Sequence, residues 1–573
     1  MTHLFRFSIG PVQEFITTAR RSRDLQYGSW LLSELAKAGA KTIAESEGIT
    51  SLIFPAPESL DTLHPGTDFN VPNIIQALVE SPPEVLGKKV EAAIKRRLND
   101  LASDVFNKLA YQAGTDFKRA VAESQIESLL EFYWVAVPLK DEGGYIQAQH
   151  QAAAWLAARK NTRNFAPAQG EMVPKSSLDA SRESVINENA YPNHKKDSQK
   201  AQEKKIEWLY SIFGARRGER LSGVDLLKRL GKSPQNEFPS TSALAAKPFI
   251  DGLPKENWDK LHRSLRAWVD SISEKAFKDD NAILLYPARL AEVLDNERLL
   301  LYPKYLTDML RQYAAGKTPG VYYALLVADG DSMGKKVDSL NTAEEHRHLS
   351  RRLSAFADQA KGIIKKHGGT PIYVGGDDIM AYLPLHTALD CLQELGEAFS
   401  KIGTLSGGLV LAHHLEPLSE VLQLARSAEK RAKDEKGKNS LCIVSSKRSG
   451  ADREVVAQWA ALSGRLHTLA DYHRQGLLSR GTAYELQKMY DTLHEVELPE
   501  DKVQEMMQQE ALRIIKRKRQ SGGNDELPQD VREQLQAWLN EVAVDELALE
   551  MIVALEFAKA KDLANLPLKE EAA

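Results

Sequence analysis

The chain has 573 residues, of which 43% are hydrophobic and 27% charged, so it has the composition of a globular protein of several domains rather than a disordered or fibrous one. Lysine and arginine number 75 against 79 aspartates and glutamates, and the net charge of −4 supplies no overall basic field for nucleic acid. The only cysteines, Cys391 and Cys442, exclude a disulfide scaffold and a four-cysteine zinc site. Because no apolar run is long enough to cross a membrane and no signal-peptide pattern opens the chain, we expect a cytoplasmic protein without membrane contact.

The first part of the chain predicts a mixed α and β unit. Residues 4–9 alternate as a strand does, a break follows at Gly10 and Pro11, and helical periodicity comes next. Residues 51–83 predict irregular structure, residues 84–131 a long helical stretch, and residues 132–137 another strand. We predict a first palm-like domain with a helical insertion over residues 1–151, followed by a helical domain over residues 152–313.

The second half of the chain contains a more regular pattern. Strands are predicted at residues 322–328, 371–374, 379–383, 405–412 and 440–444, with helices between most of them. The order βαββαβ is that of a ferredoxin-like or palm domain, which we place at residues 314–450. Residues 451–573 are predicted to be a C-terminal helical domain. The predicted fold class is therefore α+β, with two ferredoxin-like palm domains and two helical domains.

A weak internal repeat relates the two α+β units. Residues 4–16 and 324–337 both predict an apolar strand, a glycine-containing turn and a helix. In this alignment Ile9 takes the place of Asp329. The first unit would then lack metal-binding acids and be structural or regulatory.

Two acidic clusters in the second unit carry the strongest chemical signal. One lies on a predicted hairpin turn and the other at the end of the preceding strand: Gly375, Gly376, Asp377 and Asp378, and Asp329, Gly330 and Asp331. In a βαββ unit these clusters converge, and neighbouring carboxylates repel one another unless a divalent cation compensates them. We predict a Mg²⁺ or Mn²⁺ site of two ions that would activate a 3′-hydroxyl and stabilise leaving pyrophosphate. The predicted catalytic ligands are Asp329, Asp377 and Asp378, with Asp331 a weaker metal ligand.

Residues around the acids are candidates for phosphate binding. Glycines at 330, 375 and 376 allow triphosphate oxygens to approach the backbone, and Lys433 follows a helix where its charge could neutralise phosphate. The alternatives are plain: two aspartates after two glycines are often only a solvated turn, and Lys433 could be a solvated helix end. A second acidic cluster at the right topological distance argues against the first alternative.

Arginines near the start of the chain are candidates for contact with RNA phosphate or with a partner subunit. They are Arg20, Arg21 and Arg23. An arginine-rich helix face that is merely solvated is the alternative.

The beginning of the sequence carries a specific resemblance. The matching segments are residues 9–16, 19–25 and 28–33, then 218–222, 238–242 and 447–450, together with both acidic turns. They resemble the Cmr-type large subunit of type III-B CRISPR effector complexes over most of the chain. The resemblance implies two palm domains related to nucleotide cyclases, of which the second polymerises ATP.

The implied function is a target-RNA-activated nucleotidyltransferase in antiviral defence. Its substrate would be ATP, its product an oligoadenylate or related adenylate second messenger, and its partners the other effector subunits, the guide crRNA and the target RNA. Whether the product is cyclic, linear or an adenylate joined to another metabolite stays open.

The sequence departs from the family pattern in two places. Many relatives begin with an HD nuclease domain, but here the first palm is predicted from Met1 and no His-Asp dipeptide occurs, so we expect the form without this domain and no DNA cleavage by that route. Relatives often hold zinc through paired cysteines, whereas residues 175–179 contain no cysteine, so no zinc is expected.

Two other functions remain as alternatives. The chain could be a structural scaffold subunit whose acids are vestigial, or a stand-alone GGDEF-like diguanylate cyclase, whose two-glycine turn is similar. The second alternative does not explain the amino-terminal match.

Overall fold

We describe the fold from a computed structural model of the chain. The structure describes all residues except 140–143, 163–172, 235–237, 273–280, 293, 295–296, 449, 496–499, 518–525 and 568–573. Ser449, in the last segment of the family resemblance, thus lies outside the described residues. Among the helices described, none is long and apolar enough to cross a membrane.

A four-stranded antiparallel sheet forms the first unit, in the spatial order β2-β3-β1-β4. Its elements in chain order are β1 (His3–Gly10), α1 (Gln13–Thr17), α2 (Ser22–Glu47), β2 (Leu52–Phe54), β3 (Ile74–Val79), α3 (Pro83–Ala113), α4 (Arg119–Glu127) and β4 (Glu131–Pro138). Strands β2 and β3 lie where irregular structure was predicted. This prediction was wrong because both strands are short and lie among the prolines and turns of residues 51–83.

The middle of the chain is helical, as predicted, but it does not pack as one body. Its helices are α5 (Tyr145–Asn161), α6 (Gln199–Phe213), α7 (Gly223–Leu230), α8 (Thr241–Asp251), α9 (Lys255–Asp270), α10 (Pro287–Ala291) and α11 (Tyr302–Ala314). The boundary predicted between residues 151 and 152 falls inside α5, which packs on β1 and β4. Helices α6 and α7 contribute to the core of the first unit, whereas α9 to α11 form a separate apolar cluster.

A six-stranded sheet forms the second unit, in the order β10-β9-β8-β5-β7-β6. Its elements are β5 (Tyr322–Gly330), α12 (Met333–Asp338), α13 (Ala343–Lys366), β6 (Thr370–Gly375), β7 (Asp378–Leu383), α14 (Leu385–Ser400), β8 (Leu405–His413), α15 (Leu418–Asp434), β9 (Ser440–Ser445) and β10 (Arg453–Gln458). The order β6-β7-β5-β8 repeats β2-β3-β1-β4 of the first sheet, so both units have the ferredoxin-like palm topology. The predicted α+β fold class is confirmed.

The C-terminal helices pack onto the second sheet. They are α16 (Trp459–Arg474), α17 (Arg480–His494), α18 (Glu500–Arg517), α19 (Gln529–Glu541) and α20 (Val544–Leu563). Residues of α14, α16 and α20 share one core cluster. Strand β10 lies beyond the boundary predicted after residue 450, where only helix was expected, because it adds an edge strand to β9.

Both faces of the second sheet are covered. Along β5, Ala324 and Leu326 pack with α13 and α14, whereas Tyr323, Leu325 and Val327 pack with α15. Period-two alternation therefore gives a strand that is apolar on both sides. The same alternation decides which face receives the side chain of Asp329.

A buried ion cluster joins α2 to α7. Arg229 donates two hydrogen bonds of 2.7 Å to the carboxylate of Asp24 and one of 3.1 Å to Glu219. All three side chains are at most 2% exposed. Burial opposes ionisation of Glu219, but the charges of Arg229 and Arg21 prevail and lower the pKa of this carboxyl to about 2.

The amino-terminal arginines are engaged within the chain. Arg21 donates to the carbonyl of Gly214, Arg23 donates to the carbonyl of Gly231 at 3.5 Å, and Arg20 lies 3.7 Å from Glu219. Arg20 and Arg23 are exposed, whereas Arg21 is half-buried. These contacts help to anchor α2 within the chain, and contact of Arg20 and Arg23 with RNA phosphate or a partner subunit stays a prediction.

We predict that Arg229→Ala destabilises the protein by about 3–5 kcal/mol, because it leaves the buried carboxylate of Asp24 without its ion-pair partner. Glu219 would be left with the longer ion pair to Arg20. The measurement is the free energy of unfolding from urea denaturation. Arg220→Ala is the control: its ion pair with Glu188 is partly exposed, at 33% and 42%, and its loss should cost less than about 1 kcal/mol. Equal effects of the two substitutions would contradict the prediction.

Candidate functional site

The two acidic clusters meet at the ends of adjacent strands. Strand β5 runs antiparallel to β7 with Ala328 opposite Ile379, so Asp329 lies beside Asp378. The hairpin between β6 and β7 closes with Gly375 opposite Asp378, and Gly376 has a φ of 74°, which favours glycine. The strand register thus brings Asp329 close to Asp377 and Asp378, as the sequence predicted.

Gly330 permits this close approach. A Cβ atom at residue 330 would lie 2.8 Å from the Cβ of Asp377 and 2.9 Å from the Cγ of Met333. Any larger side chain would push the hairpin away from the end of β5. Only glycine, which has no Cβ atom, therefore fits at position 330 without moving its neighbours.

Helix α15 supplies the positive charge of the site. Asp329 shares its sheet face with Val327, which packs against α15. On that helix Lys433 forms an ion pair with Asp329 and a second one, at 2.6 Å, with Glu429 one turn earlier. Although burial acts against it, hydrogen bonds from Lys433 to these carboxylates raise the pKa of the lysine.

A glycine in β8 sets the distance between α15 and the sheet. A Cβ atom at Gly408 would lie 2.5 Å from both the carbonyl oxygen of Ala425 and the backbone nitrogen of Glu429. The backbone of α15 therefore rests directly on β8. This close packing places Glu429 and Lys433 within reach of Asp329.

The pKa values of the two hairpin acids, Asp377 and Asp378, are raised. Desolvation, followed by the charge of Asp329, raises the pKa of Asp377 to about 6. Desolvation, a hydrogen bond to Asp329 and the charge of Asp329 raise the pKa of Asp378, although part of this residue is exposed to solvent. Three carboxyl groups with one lysine hold more negative charge than the site neutralises.

Asp331 has a different hydrogen-bond partner from the other acids of the site. Its Oδ2 accepts a 2.8 Å hydrogen bond from the backbone N–H of Asn439, which follows Lys438 in a left-handed turn. Its Oδ1 is buried without a hydrogen-bond partner. The structure thus gives Asp331 a role in holding the turn before β9 and leaves one oxygen for another ligand.

The donor set fits a divalent cation. Within the described part of the chain, no group of three or more His, Cys, Asp and Glu side chains is arranged to hold a metal ion as it stands. At this site Lys433 donates to Asp329, and the charge of Asp329 acts on the neighbouring carboxyl groups of Asp377 and Asp378. Clustered carboxylates and the buried, unpartnered oxygen of Asp331 are the hard oxygen donors that Mg²⁺ or Mn²⁺ accepts.

The first unit has no such acids at the equivalent positions. Ile9 packs in the core that contains residues of α2 and α3, on the face of β1 opposite to Leu4, which packs with α5. Asp329 lies on the face of β5 that packs with α15, the helix that follows β8 as α5 follows β4. Ser8 and Gly10 therefore share the face equivalent to that of Asp329, and the predicted alignment of Ile9 with Asp329 does not hold. None of these residues of the first unit is an acid.

Sequence reasoning missed two residues beside the acids. Glu429 could have been found, because it lies four residues before Lys433 on the same helix face. Tyr373 could not: its hydroxyl lies over Gly375, 2.1 Å from where a Cβ atom would stand. Burial raises the pKa of Tyr373, so its hydroxyl stays protonated beside the hairpin.

Two protein-family models match the chain. Residues 322–442 match the second palm domain of Cas10/Cmr2, and residues 4–103 match the N-terminal region of the CRISPR-associated protein Cmr2. The first match contains every candidate site residue. Residues 322–442 are thus similar to the second palm domain of Cas10/Cmr2.

Known proteins are similar over nearly the whole chain. The CRISPR system Cmr subunit Cmr2 of Pyrococcus furiosus is 24% identical, over 93% of this chain and 70% of that protein. Cryo-EM structures of the type III-B Cmr-beta complex superpose on 97% of this chain: the apo state with a TM-score of 0.65, 12% identity and 82% of the matched chain, and the complex bound to cognate target RNA with 0.64, 13% and 83%. These structures support the fold.

The fold and the acidic hairpin define a protein with two palm units, one of which carries clustered carboxylates. Within that class, the resemblance predicted from the sequence is confirmed. The chain is similar to the Cmr-type large subunit of type III-B CRISPR effector complexes.

We predict that Gly408→Ala destabilises the protein by about 1–3 kcal/mol, because the new methyl group meets the backbone of α15 and must displace it. Gly362→Ala is the matched control, since a Cβ atom there has no neighbour within 4 Å and alanine favours a helix. Thermal denaturation measures both variants. Unchanged midpoints for both would show that α15 does not depend on this contact.

Proposed function

We propose that the second palm unit is a nucleotidyltransferase that joins ATP molecules into an adenylate messenger. The carrying observation is the convergence of Asp329, Asp377 and Asp378 beside Lys433 at the ends of β5 and β7. In the reaction, the 3′-hydroxyl oxygen of one ATP forms a bond to the α-phosphorus of another. The bond between the α-phosphorus and the bridging oxygen breaks, and pyrophosphate leaves.

The acids would hold divalent cations. Asp329, Asp377 and Asp378 are the proposed ligands, with the free oxygen of Asp331 as a weaker one. When bound, Mg²⁺ or Mn²⁺ supplies Lewis-acid activation of the hydroxyl and charge stabilisation for the leaving group. The protein's own part is to fix the carboxylates on two strand ends, where their geometry is set by the sheet register.

Glycines and Lys433 would receive the phosphates. At Gly376 only Leu353 lies as near as 4.0 Å to where a Cβ atom would stand, so triphosphate oxygens can approach the backbone there. Gly330 and Gly375 remain proposed phosphate-binding positions only through their backbone, because Asp377 and the hydroxyl of Tyr373 fill the space where their Cβ atoms would lie. Lys433 neutralises Asp329 in the structure and has a high pKa, so it stays charged throughout the physiological range. Its ammonium can therefore stabilise phosphate charge during transfer.

We further propose that the chain acts as a subunit of an RNA-guided complex. One of the similar structures is a type III-B Cmr-beta complex bound to cognate target RNA. By that similarity, the partners here would be other effector subunits, guide crRNA and target RNA. A net charge of −4 gives the chain little RNA attraction of its own, so RNA activation would depend on those partners.

We predict that replacing Asp377 and Asp378 together with alanine lowers product formation from ATP by about a hundredfold or more, because loss of metal ligands removes several kcal/mol of transition-state stabilisation. The measurement is mass spectrometry of products made by the assembled complex with target RNA. Assembly and RNA binding should stay near normal. Asp434→Ala, an exposed acid directly after Lys433, is the control.

Three results would contradict this assignment in different ways. Product formation within a few-fold of the unmutated protein would make the acids a solvated turn. Loss of assembly together with activity would make them structural. Turnover of GTP rather than ATP by the isolated chain would favour the diguanylate cyclase alternative.

We predict that Lys433→Gln lowers product formation at least about tenfold, because removing a cation that stabilises phosphate in the transition state costs about 1.4 kcal/mol or more. Lys430→Gln, on an exposed position of the same helix, should leave the rate unchanged. Rates at saturating ATP separate this effect from weaker substrate binding. Equal rates for the two variants would assign Lys433 to structure alone.

A further inference from the structure

A second concave site lies on the other side of the sheet edge, away from the acidic hairpin. It is formed by β10, the segment after β9, the first turn of α17 and the last turns of α20. Its charged side chains are Lys447, Arg453, Arg480, Glu556 and Lys559. None of these residues belongs to the proposed catalytic set.

The pocket carries an excess of positive charge. Glu556 is shared by two lysines, accepting hydrogen bonds from Lys559 at 2.9 Å and from Lys447 at 3.4 Å. Arg453 and Arg480 have no carboxylate partner among the residues that the structure describes. One carboxylate therefore faces four cations, and the unmatched charge favours an anionic ligand.

Arg453 has a hydrogen-bond donor to spare. Its Nη2 donates to the hydroxyl of Tyr484 at 3.1 Å, and its guanidinium carbon lies 5.6 Å from the centre of the tyrosine ring. Its Nη1 is shielded from water and has no hydrogen-bond partner. Since an unpaired buried donor is costly, this group is suited to an acceptor that enters the pocket.

Helix α17 adds to the attraction for anions. It is 15 residues long and begins at Arg480, and the side chain of Ser479 at its N-cap makes no capping hydrogen bond. The free backbone N–H groups of its first turn carry partial positive charge. This helix end reinforces the four side-chain cations.

The remaining lining is apolar apart from His473, whose ring nitrogens lie within hydrogen-bond distance of the carbonyls of Leu478 and Met551, and it includes one exposed aromatic ring. Ala483, Met551, Ile552 and Leu555 line the pocket, and Tyr484 is 49% exposed. A nucleotide would use both the charged and the apolar side of the pocket. Its base can stack on the aromatic ring, while arginine and lysine hold its phosphate. An inorganic phosphate or an acidic peptide would not stack on the exposed part of the ring.

We propose that this pocket binds one nucleotide unit, with its phosphate against Lys447, Arg453, Arg480 and Lys559 and its base against Tyr484. The same chemistry could come from a free nucleotide or from a nucleotide within an RNA strand. The proposal does not depend on the nucleotidyltransferase function, since it uses other residues.

The test measures binding of a fluorescein-labelled hexa-adenylate RNA to the full chain by fluorescence anisotropy. All proteins carry Asp377→Ala and Asp378→Ala, which stops turnover at the proposed catalytic site. Against this background we expect Arg453→Gln with Arg480→Gln to weaken RNA binding about tenfold or more. Tyr484→Ala should weaken it at least about fivefold, because the base no longer stacks on an aromatic ring.

The control is the pair Arg311→Gln and Arg513→Gln, which removes the same charge from exposed positions on α11 and α18 and should change affinity little. Competition with AMP identifies the source: displacement by AMP at concentrations near those of unlabelled RNA indicates a free nucleotide, and displacement by RNA alone indicates a strand. Either result supports the proposal when both pocket variants weaken binding.

Several outcomes overturn the proposal. They are unchanged affinity in the pocket variants, an equal loss in the control pair, and insensitivity to Tyr484→Ala. Equal displacement by inorganic phosphate or by hexaglutamate would also overturn it, because the pocket would then be a general anion patch. Thermal midpoints of all variants exclude loss of binding through unfolding.

Discussion

Repulsion among the carboxylates at the ends of β5 and β7 is the constraint on which the rest of the second unit depends. Asp329 and Asp378 lie side by side because the antiparallel register puts them there, and Lys433 from a different element forms an ion pair with Asp329. That lysine reaches them because α15 rests directly on Gly408. Sheet register, helix packing and charge are thus parts of a single arrangement, and a change in any one of them changes the other two.

The first unit shows what the same topology does without this charge. Both sheets have equivalent strand orders, but the end of β1 carries Ser8, Ile9 and Gly10, whereas the end of β5 carries Asp329. Without a charged residue at the strand end, no counterion is needed and the region closes into a core. Duplicated folds can therefore differ in chemistry through few positions, since function resides in the site rather than in the fold.

Sequence periodicity predicted most of the second unit, because its strands are buried on both faces and its helices have clear apolar stripes. It failed for β2, β3 and β10. Strand β2 has only three residues, β3 lies in a segment rich in prolines and turns, and β10 is an edge strand with a half-polar, partly exposed pattern, so local pattern does not reveal them. The acids were predictable because they follow a strand and a glycine turn. The contact of Tyr373 with the hairpin depends on tertiary packing that no spacing in the sequence encodes.

The hairpin is also tied to the first unit. Asn70 donates a 2.7 Å hydrogen bond to the carbonyl of Val374, just before the glycines, and Lys361 donates at 2.8 Å to the carbonyl of Asp68. The segment that carries Asn70 and Asp68 leads into β3, whose equivalent in the second unit carries the acids. A shift of the first unit would therefore act on the hairpin through these bonds. Such coupling would regulate the site only if the two positions of the first unit differ in their affinity for a partner. The unit without acids thus has a physical means to influence the unit that has them.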